Sequence, residues 1–504
     1  MKWNQTMRTV ALATMLSSML ALGACATGAS GGGADDASSA AVAAETSAVA
    51  GTSAAAEGAQ TASAASGQAS VPTVDSIAIN ETLADDTNGG HAIEVDGTQE
   101  SYANVAVQKT GDSDSGDEAD FYGDNATVFA TNGATLDLSQ IVVNSDGTHA
   151  NGVFSYGEGT TVNISDSVIE TSGDCSGGLM TTGGGTMNAS NLNISTSGRS
   201  SAAIRSDRGG GIVNVEGGIY QTSGMGSPVI YSTADITVSD AQLTSTASQG
   251  VVVEGKNSVT LNNVDLVADN NTKNSDKSDW YQAVMIYQSM SGDAAQGASS
   301  FTMSDGSLTN ANGDIFFVNN TVTDITLTGV DIVNQDAEGV FLRAAAAGWG
   351  NEGSNGGQVT MTATDQAIDG DIVVDEVSKL NLYLNGTSTF TGAINADGAA
   401  GEVYVEIADG AVWTLTGDSY ITSLTCAADA IDLNGHTLYV DGQAYEAGAA
   451  STGTAVEFDV SSGGGMGGPG EGAPGEGGPG EGAPGEGGPG GPGQGGEPPE
   501  KPQN

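Results

Sequence analysis

The feature that most constrains this chain is an internal repeat. Short strands that open on an aliphatic residue recur at Val128, Val153, Leu179, Ile204, Val229, Val251, Val284, Ile315 and Val340. The steps between them are 25, 26, 25, 25, 22, 33, 31 and 25 residues. A unit of this size cannot bury its apolar face alone, so only a stack of units is stable. A second strand follows in each unit with alternating apolar positions, such as Leu136/Leu138, Val162/Ile164, Val213/Val215, Val259/Leu261 and Ile325/Leu327. A third, shorter strand carries Val168, Leu192, Ile219, Leu243, Leu266, Leu308 and Ile332. Gly, Asn, Asp and Ser fill the corners, where positive φ is tolerated. Three short strands per turn predict an all-β parallel β-helix, each coil stacked on the next at about 4.8 Å. An array of β-sandwiches is the alternative, and the lack of hairpin turn signals counts against it.

The segments around the repeat differ in composition. Residues 1–24 resemble a lipoprotein signal peptide. Lys2 and Arg8 form a basic start, and Val10 to Leu22 is an apolar stretch too short to span a membrane comfortably. It ends in Leu22-Gly23-Ala24-Cys25, which resembles a bacterial lipobox. The resemblance implies cleavage before Cys25, lipidation of its thiol and an extracytoplasmic, membrane-anchored protein. An ordinary secretory signal with an incidental cysteine is the competing reading. Residues 25–75 read as a flexible linker: 38 of the 50 residues after Cys25 are Ala, Ser, Thr or Gly, too little apolar surface to offset ordering entropy. Residues 76–127 are expected to cap the helix, 128–369 to form its repeats, and 370–460 its last coils and closing cap. Residues 461–504 read as a disordered Gly/Pro/Glu tail, since 9 of the 11 prolines fall after Gly463.

Charge excludes one class of partner outright. With 62 acidic against 12 basic residues the formal net charge is -50, and such a chain repels a phosphate backbone, so no nucleic acid is expected. The histidines, His91, His149 and His436, are too scattered for a histidine metal motif. Cys175 and Cys426 would lie nine or ten coils apart, roughly 45 Å at the sheet spacing, so no bridge between them is expected.

After residue 370 the strands lengthen, as in Lys379 to Leu384 and Glu402 to Ile407. The segment from Trp413 to Leu424 resembles the end coil of pertactin-like autotransporter passengers. With the repeat, residues 130–440 resemble the right-handed β-helix superfamily of adhesins and pectate-lyase-like enzymes. That implies a right-handed solenoid and is uninformative about activity.

Candidate binding residues follow from the phase of the first strand. If its leading residue points in, Phe129, Phe154, Met180, Arg205, Ile230, Val252, Met285, Phe316 and Phe341 point out. The next outward row holds Tyr156, Asp207, Glu254, Tyr287 and Arg343. An apolar outward stripe marks a binding surface, unless a loop or the 76–127 cap covers it. The long repeats place insertions at 268–282, 289–298 and 344–357, all bordering this sheet and carrying Trp280, Tyr281 and Trp349. Aromatic rings beside acidic and amide groups suit sugar stacking, so a glycan groove is expected there. The competing reading makes the rings anchors that pack back on the solenoid.

No catalytic signature is present. Arg199, Arg205 and Arg208, with Asp207, form the main cationic cluster for lyase chemistry, and a local ion-pair group on the turn Gly209–Gly211 is the simpler reading. Asp207 and Glu254 stand two coils apart, near 9.6 Å by the sheet spacing, but among so many carboxylates such a pair is expected by chance. Asp112, Asp114 and Asp117 are weak candidates for Ca²⁺, in an order that departs from the EF-hand loop; a solvated acidic loop is the simpler reading. The expectation is therefore an anchored, adhesin-like protein that binds extracellular glycan or a surface protein. A polysaccharide lyase or hydrolase and a passive spacer are the alternatives.

Overall fold

The computed structural model describes residues 70–398 and 401–458. Cys25, the signal segment, most of the linker and the 461–504 tail lie outside the described residues. The described chain is a right-handed parallel β-helix. Its first strands form an eleven-stranded sheet from Ile93–Asp96 to Ile372–Val374. The second and third strands form a nineteen-stranded sheet that runs from Glu81–Asp85 to Ser423–Cys426. Successive coils lie parallel and in register, as in Val128↔Val153, Leu179↔Ile204 and Val251↔Val284.

The repeat dictates this because each coil fills the interior from alternate positions. Leu136, Leu138, Val162, Val213, Leu261 and Leu327 are all 0–3% exposed in one continuous core. Phe301, Phe316 and Phe341 stack edge to face through its middle, 5.6 Å apart at each step. The corner between second and third strands needs a left-handed residue. Asn191, Asn263 and Asp305 supply it at φ 51, 52 and 57 inside continuous long strands, residue types whose short polar side chains suit that region. At the matching corner Gly217 takes φ 68 without a Cβ.

Both ends are finished differently. The first coil forms already at residues 81–109, ahead of Val128, with Ile93–Asp96 paired to Val128–Thr131. At the other end the strands Leu438–Val440 and Gln443–Ala444 pair antiparallel, which ends the parallel stack and blunts its edge. Each terminal segment lies on the outer face of the long sheet as a strap. Asn191 and Asn193 donate to the carbonyls of Ser70 and Pro72 at 3.4 and 3.0 Å, and Ile77 packs on Val142 and Val168. At the far end Asn381 exchanges two bonds with the Val456 backbone, at 2.9 and 3.0 Å.

The register corrects the phase expected from sequence at several positions. Ile230 pairs with Ile204 and Val251, Phe316 with Leu342, and all point inward. Phe341 is likewise a core residue, so neither Phe316 nor Phe341 is available to a ligand. The outward row instead passes through Tyr231, Val252, Met285, Phe317 and Arg343. In the third strand, Ile169 and Tyr220 face the core while Val168 and Ile219 do not. At Ile230 and Phe316 three consecutive apolar residues are all buried, and alternation then carries no phase; at Ile219–Tyr220 two adjacent apolar residues, the first only half-buried, leave the phase just as open.

Candidate functional site

The outer face of the eleven-stranded sheet is covered. Phe129, Phe154, Met180 and Ala126 form one sealed cluster beneath the helix Gly116–Tyr122. That helix is held down by the Thr182 hydroxyl, which donates to the Phe121 carbonyl at 2.7 Å, and by Arg208, whose guanidinium lies 3.8 Å from the Phe121 ring centre. Farther along, Tyr231, Val252, Met285, Tyr287, Phe317 and Trp349 form a second cluster with Trp280 packed against it. The three insertions therefore close down on this face as a lid and do not wall an open groove.

Charged groups are sealed under the same lid. Arg205 lies 3.0 Å from Asp207 and 3.5 Å from Asp120, all within 2% of full burial. Asp120 in turn meets His149 Nδ1 at 3.2 Å. Glu254 receives hydrogen bonds from the hydroxyls of Tyr231 and Tyr287, the latter at 2.9 Å. Burial drives the carboxyls toward their neutral forms: Glu254 is raised, and Asp207 is pushed up to about 8 even with Arg205 beside it. Burial likewise pushes both tyrosine hydroxyls well above their ordinary value. Asp207 and Glu254 do lie two coils apart on one outward row, but neither carboxyl reaches solvent, so the pair offers no open hydrolase site.

The remaining expected residues are anchors or surface groups. Tyr156 stacks on Phe129 with ring centres 6.5 Å apart and meets Tyr122 edge-on. Trp280 packs on Phe317 at 5.6 Å and lies under Arg343, which is fixed by Asp314 at 2.6 Å. Trp349 is 1% exposed against Tyr287, and Tyr281 lies under Lys273. The acidic 112–120 segment is not a loose loop: Asp112 accepts the Thr148 amide at 2.7 Å, and Asp117 sits in the first turn of the lid helix. Asp112, Asp114 and Asp117 are not gathered into a metal-ligating group. Among the described residues such a group is Asp120, His149 and Cys175, but the Cys175 sulfur is already engaged, so the trio is structural. Cys426 is a free, buried thiol, so it makes no bridge to Cys175.

The accessible candidate is the outer face of the long sheet, which sequence reasoning did not single out. Its middle outward row aligns Asp137, Asn163, Asn188 and Asn214 on successive coils. Each asparagine Nδ2 donates to the residue before it, at 2.8, 2.9 and 3.0 Å, which makes a continuous amide ladder. The same row continues as Thr237, Thr260, Thr302, Thr326 and Thr362. Over the first part of this row lies an open groove of about 630 Å³, bounded by Tyr102 at one end and by Glu216 and Thr237 toward the other. The signal was present in the sequence as asparagines one coil apart.

This groove suits hydrogen bonding more than bond cleavage. Every ladder amide uses one N–H within the row and keeps a second for a ligand. Its carboxylates, Asp137 and Glu216, stand three coils apart, about 14 Å along the axis by the sheet spacing, beyond the separation of paired hydrolase carboxylates. No cation lines it. No family model, curated protein or solved structure matches the chain.

Proposed function

We propose that the chain is an anchored surface protein that binds extended, hydroxyl-rich ligands, glycans foremost, along the outer face of the long sheet. The observation that carries this is the amide ladder lying open at the floor of a groove. A row of preordered amides and hydroxyls at a constant spacing matches a polymer that repeats its own hydroxyls, and rigidity lowers the entropic cost of binding. The adhesin reading thus moves from the covered sheet to the open one. Anchoring through a lipidated Cys25 is part of the same proposal, supported by the lipobox-like sequence alone.

The test incubates the full chain with a panel of host and bacterial polysaccharides and follows bound and cleaved sugar by mass spectrometry. Retention without cleavage, weakened at least tenfold by Asn163→Ala with Asn188→Ala, is expected. New oligosaccharides would replace the binding reading with an enzymatic one. Retention that ignores both substitutions would refute the groove.

A further inference from the structure

The strand Gly185–Thr196 serves two surfaces. Its Asn188 and Ser190 line the groove, and its Asn191 and Asn193 hold the strap that begins at Ser70. Asn191 is bonded as the ladder residues are. Its Nδ2 donates to Asp166 on the preceding coil at 2.7 Å, just as Asn188 donates to Asn163 at 2.9 Å. Asn191 then gives its second N–H to the Ser70 carbonyl, at 3.4 Å. A spare ladder amide thus takes the carbonyl of an extended polypeptide. Asn381 does the same for the Val456 carbonyl at the far end of the sheet, at 3.0 Å.

The strap also has a direction. Ser70 and Pro72, two residues apart, meet Asn191 and Asn193, two residues apart, so strap and strand run the same way at this point. Followed backward from Pro72 to Ser70, the line passes from Asn193 to Asn191 and continues onto Ser190 and Asn188, inside the groove. The chain that precedes Ser70 therefore joins the fold at the groove's edge. Five coil steps separate Ser101 from Thr237 along the groove floor. That is about 24 Å at the sheet spacing, which an extended chain covers in about seven residues.

Charge selects between the two terminal segments that flank the fold. The groove carries Asp137 and Glu216 and no cation. The Gly/Pro/Glu tail would bring further carboxylates to it and be repelled. Residues 58–69 hold no charged side chain and no proline, so no charge repels them and every backbone amide can bond. They are Gly, Ala, Ser, Thr and Gln alone, without a bulky side chain to keep the backbone carbonyls off the ladder.

We infer that residues 62–69 of the chain itself lie in the groove, as an intrachain occupant that an external ligand must displace. That this ligand is a glycan rests on the reading above; the occupant does not. Attachment through Ser70 gives the segment a high effective concentration without any need for tight contacts, so the groove is guarded and not blocked.

The experiment places the photocrosslinker p-benzoylphenylalanine at Gln68 or Ser66 of the full chain, with Ala50 as the control, and maps the products by mass spectrometry. Crosslinks from Gln68 and Ser66 to strands 161–165, 185–190 and 211–216, absent from the Ala50 control, are expected. Binding to the polysaccharide panel is then compared among the native chain, a chain lacking residues 58–69, and Ser66→Glu with Gln68→Glu, which keeps the length of the tether. Both variants should bind about threefold more tightly, as for an occupant that holds the groove in about two-thirds of molecules. Groove crosslinks without retention of polysaccharide by any of the three chains would sustain the occupant and sink the glycan reading. Crosslinks scattered like those of Ala50, or polysaccharide binding that is the same in all three chains, would overturn the inference and leave the glycan reading standing.

Discussion

Phe316 and Phe317 are adjacent, equally buried and chemically identical, yet they belong to different cores. Phe316 stacks between Phe301 and Phe341 inside the solenoid. Phe317 points the other way and meets Trp280 under the lid. Truncating either to alanine removes a fully buried ring and leaves a cavity, at a cost of about 3–5 kcal/mol. The costs fall on different equilibria. Phe316→Ala weakens the stack on which neighbouring coils depend, so it lowers global stability. Phe317→Ala weakens only the closed lid, which can open with the solenoid intact. If lid opening bears the whole cost, its opening constant rises roughly a hundred- to several thousandfold. Hydrogen exchange followed by mass spectrometry separates the cases. Phe317→Ala should speed exchange in 268–282 and 344–357 while the interior strands 301–310 and 323–328 keep their protection. Phe316→Ala should lower protection in those strands. The opposite pattern, or the same pattern for both variants, would refute the register and the lid together.

Two further outcomes follow. Asp207 is raised by burial to about 8 from an ordinary value of 3.8, so the folded state holds a proton that the unfolded state has lost. Its contribution is complete below about pH 4 and falls away as pH rises to about 8; chemical denaturation across that range should show the decline, and Asp207→Asn should flatten it. At the left-handed corner, Asp305→Val should cost about 1–2 kcal/mol while Asp305→Gly costs less, and equal thermal midpoints for the two variants would contradict the corner argument.

The architecture was legible because its signal is redundant. The second-strand pairs alternate cleanly, and every coil repeats them, so Leu136 to Leu327 landed inside as expected. Phase failed where the chain is apolar on both faces. Ile315, Phe316 and Phe317 are all buried, so hydrophobicity alone does not say which points in. The lid was hidden for a different reason. Its helix, Gly116–Tyr122, overlaps the run from Asp112 to Asp120, which reads as solvated and acidic, and among its apolar side chains only Ala119 and Phe121 betray a buried side. The rings of Trp280 and Trp349 proved to be anchors because sealing a stripe that includes Met285 and Phe317 required large apolar side chains. The open face escaped notice because asparagine and threonine on an outward row look like ordinary solvent-facing residues. Only register turns Asn163, Asn188 and Asn214 into a ladder.

The strap at residues 70–80 has a mechanical consequence. A tether that pulls on Ser70 does not load the first coil directly. It reaches the Asn191 and Asn193 bonds to the strap first, then the contact of Ile77 with Val142 and Val168, and only afterwards the Asn80 amide on the Asn104 carbonyl at 2.8 Å. These contacts lie one after another along the line of pull, so they yield singly, as in unzipping, and not together, as in shear. Were the protein tethered through the residues before Ser70, as proposed, tension would peel these contacts in turn and lengthen the tether while the coils stay folded, a shock absorber in series with the solenoid.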